Sequence, residues 1–131
     1  MTGEAIPDPC KVTDPERITE YHAHVYYDPA NSRDRASAVR DRIASLFPEA
    51  RLGRWHDQLV GPHTRSMYQI AFPPVLLPRI LPWLMLNRLG LTVLLHPVTG
   101  NDYVDHTDHA AWLGEVLPLR LDVLSKANAH S

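Results

Sequence analysis

A single cysteine, Cys10, stands in a chain of 131 residues, so no internal disulfide framework is possible and a reducing compartment suits the sequence. Charge of one sign is missing too. The net charge is -2 at pH 7 with the arginines dispersed, which excludes the basic footprint of a nucleic-acid binder. No long apolar run is present: Val75 to Leu95 is the most hydrophobic stretch, and Pro78, Arg79, Pro82, Asn87, Arg88 and Gly90 interrupt it, which argues against a membrane span. No signal-peptide pattern opens the chain, because Glu4 and Asp8 come before any apolar segment. Also absent are HExxH, CxxC, an EF-hand loop, a glycine-rich phosphate loop, a GxSxG elbow and a Cys/His nucleophile pair. The expectation that remains is one soluble, cytoplasmic domain, large enough to bury a core without staples.

Histidine, by contrast, is abundant, with eight in the chain. The stretch Tyr21-His22-Ala23-His24-Val25-Tyr26-Tyr27 reads as a β-strand with histidines at alternate positions. Side chains in a strand repeat with period two, so His22, His24 and Tyr26 share one face while Ala23, Val25 and Tyr27 share the other. The second face has the composition of a core and the first that of a site. Two such histidines lie roughly 6.5 to 7 Å apart at the backbone, close enough for both rings to converge on one metal ion.

The rest of the chain supplies the frame. Residues 1–20 form a proline-rich N-terminal arm without periodicity, residues 21–124 one domain, and residues 125–131 a tail. Ala36, Val39, Ile43, Leu46 and Phe47 have helical spacing, with Asn31 or Ser32 as the N-cap and Pro48 as the stop. Arg51 to His56 predicts a second strand, with Leu52, Arg54 and His56 on one side and Gly53 and Trp55 on the other. Ser66 to Phe72 predicts a third, and Leu77 to about Arg88 a second helix that Pro82 bends and Gly90 ends. Leu91 to His96 predicts the fourth strand, closed by Pro97. Asp105 or Thr107 then caps a short helix running through Trp112, and Leu117 to Leu124 alternates like an edge strand.

The order strand, helix, strand, strand, helix, strand is the α+β, ferredoxin-like βαββαβ arrangement, an antiparallel sheet of order 4-1-3-2 with both helices on one face. The other face would be left for a partner, a ligand or a second copy. In this topology the first strand lies antiparallel to the fourth, which sets His22 beside His96. His22, His24 and His96 could then cluster on the open face, and the loop containing Gly61-Pro62-His63 could bring His63 over them. Neutral imidazoles accept zinc, copper, nickel and iron alike, so these ligands do not choose the metal.

Ordinary explanations exist for each piece. Strand histidines often serve interfaces, Asp105-His106-Thr107-Asp108 can be a helix cap, Arg54 and His56 can be solvated, and Tyr26, Tyr68 and Trp83 can be packing groups. Asp57, Asp102 and Asp105 all sit in predicted loops, where each is either a ligand reaching in or a solvent-facing residue.

Taken together, Tyr21-His22-Ala23-His24-Val25-Tyr26-Tyr27-Asp28, Gly61-Pro62-His63, His96-Pro97-Val98-Thr99-Gly100-Asn101, Asp105-His106-Thr107 and Ala111-Trp112-Leu113-Gly114 resemble the DOPA 4,5-dioxygenase-like family of small aromatic ring-cleaving dioxygenases, over roughly Tyr21 to Leu124. The resemblance implies a ferredoxin-like fold, a homodimer, and extradiol cleavage of a DOPA-like or other substituted catechol with non-haem Fe(II) and dioxygen. It implies His22, His24 and His96 as metal ligands, with zinc or another divalent ion able to replace iron, and His63 as the proton-handling residue. Arg54 or His106 would pair with a substrate carboxylate, and Tyr68 would stack on or hydrogen-bond to the substrate. The common oxygenase iron site includes a carboxylate. None is predicted on the open face, so either an aspartate reaches in or the site is made of histidines alone. The alternatives are a metal-free ferredoxin-like dimer that binds a small aromatic ligand, and a cofactorless monooxygenase.

Overall fold

The computed structural model describes residues 12–124. Its sheet is built from β1 (Glu20–Tyr27), β2 (Arg51–Leu52), β3 (Ser66–Phe72), β4 (Val93–Val98) and β5 (Ala111–Leu113), with α1 (Arg33–Leu46) following β1, α2 (Leu77–Asn87) following β3 and the short α3 (Asp102–Asp105) following β4. The strand order is β2-β3-β1-β4-β5, antiparallel throughout. This is the expected α+β, ferredoxin-like order extended by one strand on the β4 edge. Of the expected terminal segments, residues 12–19 include a 3-10 turn at Pro15–Arg17, Glu20 already belongs to β1, and Cys10 lies outside the described residues.

One face of the sheet packs against the two long helices. Ala23, Val25 and Tyr27 of β1 join Tyr68, Ile70 and Phe72 of β3 and Val93 and Leu95 of β4, and onto them fold Ala36, Val39 and Ile43 of α1 and Ile80 and Leu84 of α2. Full burial of an Ile or Leu side chain contributes about 1.5–3 kcal/mol. Ile80 and Leu84 therefore offset Pro82, which sits inside α2 and removes a backbone hydrogen bond. After α2, both Leu89 (φ 55) and Gly90 (φ 79) are left-handed, so the reversal into β4 takes two residues and not Gly90 alone. Arg35 Nη1 donates to the Leu89 carbonyl at 2.7 Å and holds that reversal.

Four local expectations are corrected. The second strand regular to His56 is instead two residues long: Leu52 pairs with Ile70 and Gly53 N–H donates to Gln69, but His56 pairs with Met67, so Arg54 and Trp55 stand opposite Tyr68 alone. That extra residue breaks the alternation and turns Trp55 onto the same helix-side core as Leu52. The fourth strand runs through Pro97 to Val98. A proline is tolerated there because β5 covers only Val93 to Leu95, leaving that end of β4 an edge. The short helix is capped by Asn101, whose side chain accepts from Val104 N–H, and ends at Asp105, so Ala111–Leu113 is free to pair with β4 as β5. Finally, Leu117 to Leu124 is not a strand; it crosses the second sheet face, buries Leu117 and ends in a 3-10 turn at Leu121–Val123.

That second face is therefore not open along its whole length. Tyr26, Met67, Leu94 and Leu117 form a smaller apolar cluster with Val60, Ala110, Trp112 and Leu119, so the chain's own loops cover the part of the sheet next to the histidines.

Candidate metal centre

The register of β1 against β4 pairs His22 directly with His96, and His24 with Leu94. Period-two alternation carries Glu20, His22, His24 and Tyr26 to the face away from the helices. There His22, His24 and His96 each offer a ring nitrogen within 4.8 Å of the others, a set able to hold a metal ion. Nε2 of His24 and Nε2 of His96 are 3.1 Å apart. Such a separation is close to the distance between two nitrogens bound at roughly 2.0–2.1 Å to one ion.

Two loops add further imidazoles. The segment between β2 and β3 folds over the sheet and places the His63 ring 4.3 Å from that of His24. The segment after β4 places His106 4.0 Å from His96, 6.1 Å from His24 and 6.3 Å from His63. His24, His63 and His96 are each only 3% exposed, whereas His106 is half-buried and the His22 side chain is 21% exposed. Approach from solvent is therefore on the side of His22 and His106.

The outward hydrogen bonds set the tautomers. Nδ1 of His96 donates to the Pro97 carbonyl at 2.8 Å, so its Nε2 carries a lone pair. Likewise His106 Nδ1 donates to the Asp102 carbonyl at 2.7 Å and leaves Nε2 bare. His24 must then supply the hydrogen between the two Nε2 atoms, which leaves its buried Nδ1 without a hydrogen-bond partner. The fit to a cation lies in the facing Nε2 pair, bare on His96 and freed on His24 by a change of tautomer, and not in the unpartnered Nδ1. Tyr26 Oη lies 2.7 Å from His63 Nδ1, and burial raises the pKa of its phenol. The phenol keeps its proton and donates a hydrogen bond to His63 Nδ1, so His63 Nε2 bears the imidazole hydrogen.

Burial is also the largest reason that the imidazoles stay neutral. It lowers His24 well below the usual value, with repulsion from His63, His96, His106 and His22 adding to it. Burial and then His106 and His56 bring His63 to about 4. His96 falls to about 3 for the same first reason, opposed by its bond to the Pro97 carbonyl. His106 is lowered by burial against the pull of the Asp102 carbonyl and the Asp102 and Asp105 carboxylates. Neutral imidazoles are the form that binds metal, so the donor set fits a transition-metal ion.

The remaining candidates lie elsewhere. Tyr68 is wholly buried in the helix-side core, where its hydroxyl donates to the Ala36 carbonyl at 2.7 Å, so the expected substrate contact is corrected: Tyr68 pairs with Val25 and shares its face. Arg54 is exposed beside β2, with β3 between that edge and β1. None of the three aspartates joins the cluster through its carboxylate. Asp57 accepts from the Tyr27 hydroxyl at 2.5 Å and from Arg33 on the helix side. Asp105 is 1% exposed and accepts from Thr99 N–H, Thr99 Oγ1 and His109 Nδ1, which pins the loop that carries His106. Asp102 contributes its carbonyl to His106. The carboxylate that does stand at the site is Glu20, whose Oε2 is 2.8 Å from His22 Nε2. Its signal was its position two residues before His22 on the same strand face, masked by assigning residue 20 to the arm. A separate hollow of about 490 Å³ shares only Tyr26 with this region, and its charged groups are already engaged, Arg65 with Glu115 and Arg35 with Leu89.

Residues 21–123 match the Dopa 4,5-dioxygenase family. The chain belongs to that family. A DOPA 4,5-dioxygenase of Amanita muscaria is 32% identical over 111 residues, 79% of this chain and 49% of its own length. An uncharacterized 21.2 kDa protein of Botryotinia fuckeliana is 33% identical over 117 residues, 81% of this chain and 63% of its own. This Dopa 4,5-dioxygenase family member thus spans about half to two thirds of those curated relatives. A solved structure from Nostoc punctiforme PCC 73102, described as a proposed dioxygenase, is 46% identical and superposes with a TM-score of 0.82 over 86% of this chain and 96% of that one. No described helix is long and apolar enough to cross a membrane.

Proposed function

We propose that this protein is a cytoplasmic, Fe(II)-dependent extradiol dioxygenase that opens the ring of a DOPA-like or otherwise substituted catechol. The observation that carries the reading is the convergence of His22, His24 and His96 on one sheet face, in a chain of this family. These three residues would hold the ion, which when bound supplies one centre where both catechol oxygens and dioxygen meet and exchange electrons. Zinc or another divalent ion suits the same nitrogens. The five imidazoles come from a single chain, and a homodimer is compatible with the site.

The chain's own groups divide the remaining work. His63, held by Tyr26 with its hydrogen on Nε2, is a donor at rest; Nε2–H stabilises oxygen charge developing during ring opening and gives its proton there as Nδ1 takes one from the Tyr26 hydroxyl. His106, at the more accessible side, orients the substrate, with a carboxylate as its natural partner. Tyr26 and Trp112, ring centroids 6.1 Å apart, and Leu94 wall the dry side, which limits water near the reacting ring.

The test is an oxygen-uptake screen of substituted catechols with and without anaerobically loaded Fe(II), comparing the intact protein with His24→Ala. Iron-dependent uptake with a yellow semialdehyde product, absent in the variant, is expected. Uptake without iron points to the cofactorless alternative, and binding of a catechol without turnover under any metal points to the metal-free binding protein.

A further inference from the structure

Glu20 and Arg51 stand at the edge of the histidine cluster without a part in the chemistry above. Glu20 is at the start of β1, and Arg51 reaches it from β2 across β3, because His22 and Arg51 both pair with Ala71 in the sheet register. Arg51 Nη2 binds Glu20 Oε1, and Glu20 Oε2 accepts from His22 Nε2 at 2.8 Å. Both carboxylate oxygens are therefore committed. The His22 and Glu20 side chains are 21% and 29% exposed, so the bond forms at the mouth of the site and not in open solvent.

We propose that Glu20, steadied by Arg51, is the positioning carboxylate of the centre: it holds His22 in the Nε2–H tautomer and so makes Nδ1 the nitrogen that His22 presents to the ion. This rests on the metal-centre reading above and deepens it. The physical reason is twofold. A ring that donates one N–H to a fixed acceptor cannot rotate away, and a carboxylate acceptor raises the basicity of the opposite nitrogen. His96 and His106 use neutral backbone carbonyls for the same purpose, so His22 alone among the three has a charged buttress. It is also the most exposed of the proposed ligands. Glu20 is a positioning residue and touches no reacting atom.

The experiment is a Co(II) titration of the metal-stripped full chain, followed by absorbance and by competition with a chromophoric chelator, for the intact protein, Glu20→Ala, Glu20→Gln and Arg51→Ala. Removal of such an outer carboxylate typically weakens metal binding by about 10- to 100-fold. Glu20→Ala is expected to fall in that range, Glu20→Gln to recover most of the affinity because its amide oxygen still accepts from Nε2, and Arg51→Ala to lose less than Glu20→Ala. Long-range ¹H–¹⁵N spectra of the metal-free protein should show His22 as the Nε2–H tautomer, with a tautomer mixture in Glu20→Ala. Intact affinity in Glu20→Ala overturns the proposal while leaving the metal centre standing. A loss in Glu20→Gln as deep as in Glu20→Ala, with an altered Co(II) spectrum, overturns it by making Glu20 a ligand. An intact protein that binds no Co(II) overturns the metal reading itself and this inference with it.

Discussion

The two faces of the sheet are made by the same strands and do opposite things. On the helix side, Ala23, Val25 and Tyr27 meet Tyr68, Ile70 and Phe72, and the Tyr68 hydroxyl donates to the Ala36 carbonyl. On the other side His22 and His24 alternate with those core residues, one step along the same backbone, and face His63, His96 and His106. On the first face the one unpartnered buried polar atom among the described residues, Arg40 Nη1, belongs to a guanidinium that lies over the Tyr68 and Trp55 rings. The second leaves His24 Nδ1 unpartnered and keeps several imidazoles neutral by burial, with lone pairs available to an ion. Stability and function are thus separable by residue parity along β1.

That separation can be broken most severely from the site side. His96→Ala should abolish metal-dependent oxygen uptake while the thermal midpoint moves by no more than the roughly 4–8 °C that about 1 kcal/mol produces in a domain of this size, measured by oxygen electrode and circular dichroism in parallel. His63→Gln should lower kcat by about 10²- to 10⁴-fold, the usual contribution of a positioned acid or base, with Co(II) affinity retained. From the core side, Ile43→Ala should cost about 2–5 kcal/mol in urea unfolding and leave metal binding per folded molecule unchanged.

Acid should sharpen the contrast. Folded His63 and His96 protonate only near about 4 and about 3, whereas the unfolded chain takes up those protons near about 6.5. The unfolded state therefore binds more protons between those limits, so the stability of the metal-free protein is complete above about pH 6.5 and is lost as pH falls toward 3. Thermal scans from pH 7 to 4 should show this decline, and Ile43→Ala should shift the curve down without changing its slope. The smallest effect is expected for Tyr68→Phe: about 0.5–1.5 kcal/mol of stability from the lost bond to Ala36, and unchanged kcat and KM in the catechol assay.

Much of this was legible in the sequence because it depends on period and topology. Alternation in β1 sorted His22 and His24 from Val25 and Tyr27, and the antiparallel pairing of β1 with β4 set His22 opposite His96. Features that depend on one residue or on loop paths were not legible. An inserted residue after Gly53 turned Trp55 inward, Asn101 instead of Asp105 capped the short helix, and Ala111–Leu113 found an edge on β4 that no local pattern announces. The site reading missed Glu20 for a similar reason, since a carboxylate at the first position of a strand looks the same as one in a polar arm until pairing with Val98 fixes its face. The substrate role that the resemblance implies for Tyr68 fails on parity, since Tyr68 shares the helix-side face with Ile70 and Phe72.

The most direct measurement is diffraction from crystals grown with Fe(II) or Co(II) without oxygen, with anomalous data collected at the metal edge. The account predicts one strong peak bonded to ring nitrogens of His22, His24 and His96 at about 2.0–2.2 Å, with positions left open toward His106. A peak held by any other set of residues, or clean density among those three rings at saturating metal, would contradict it.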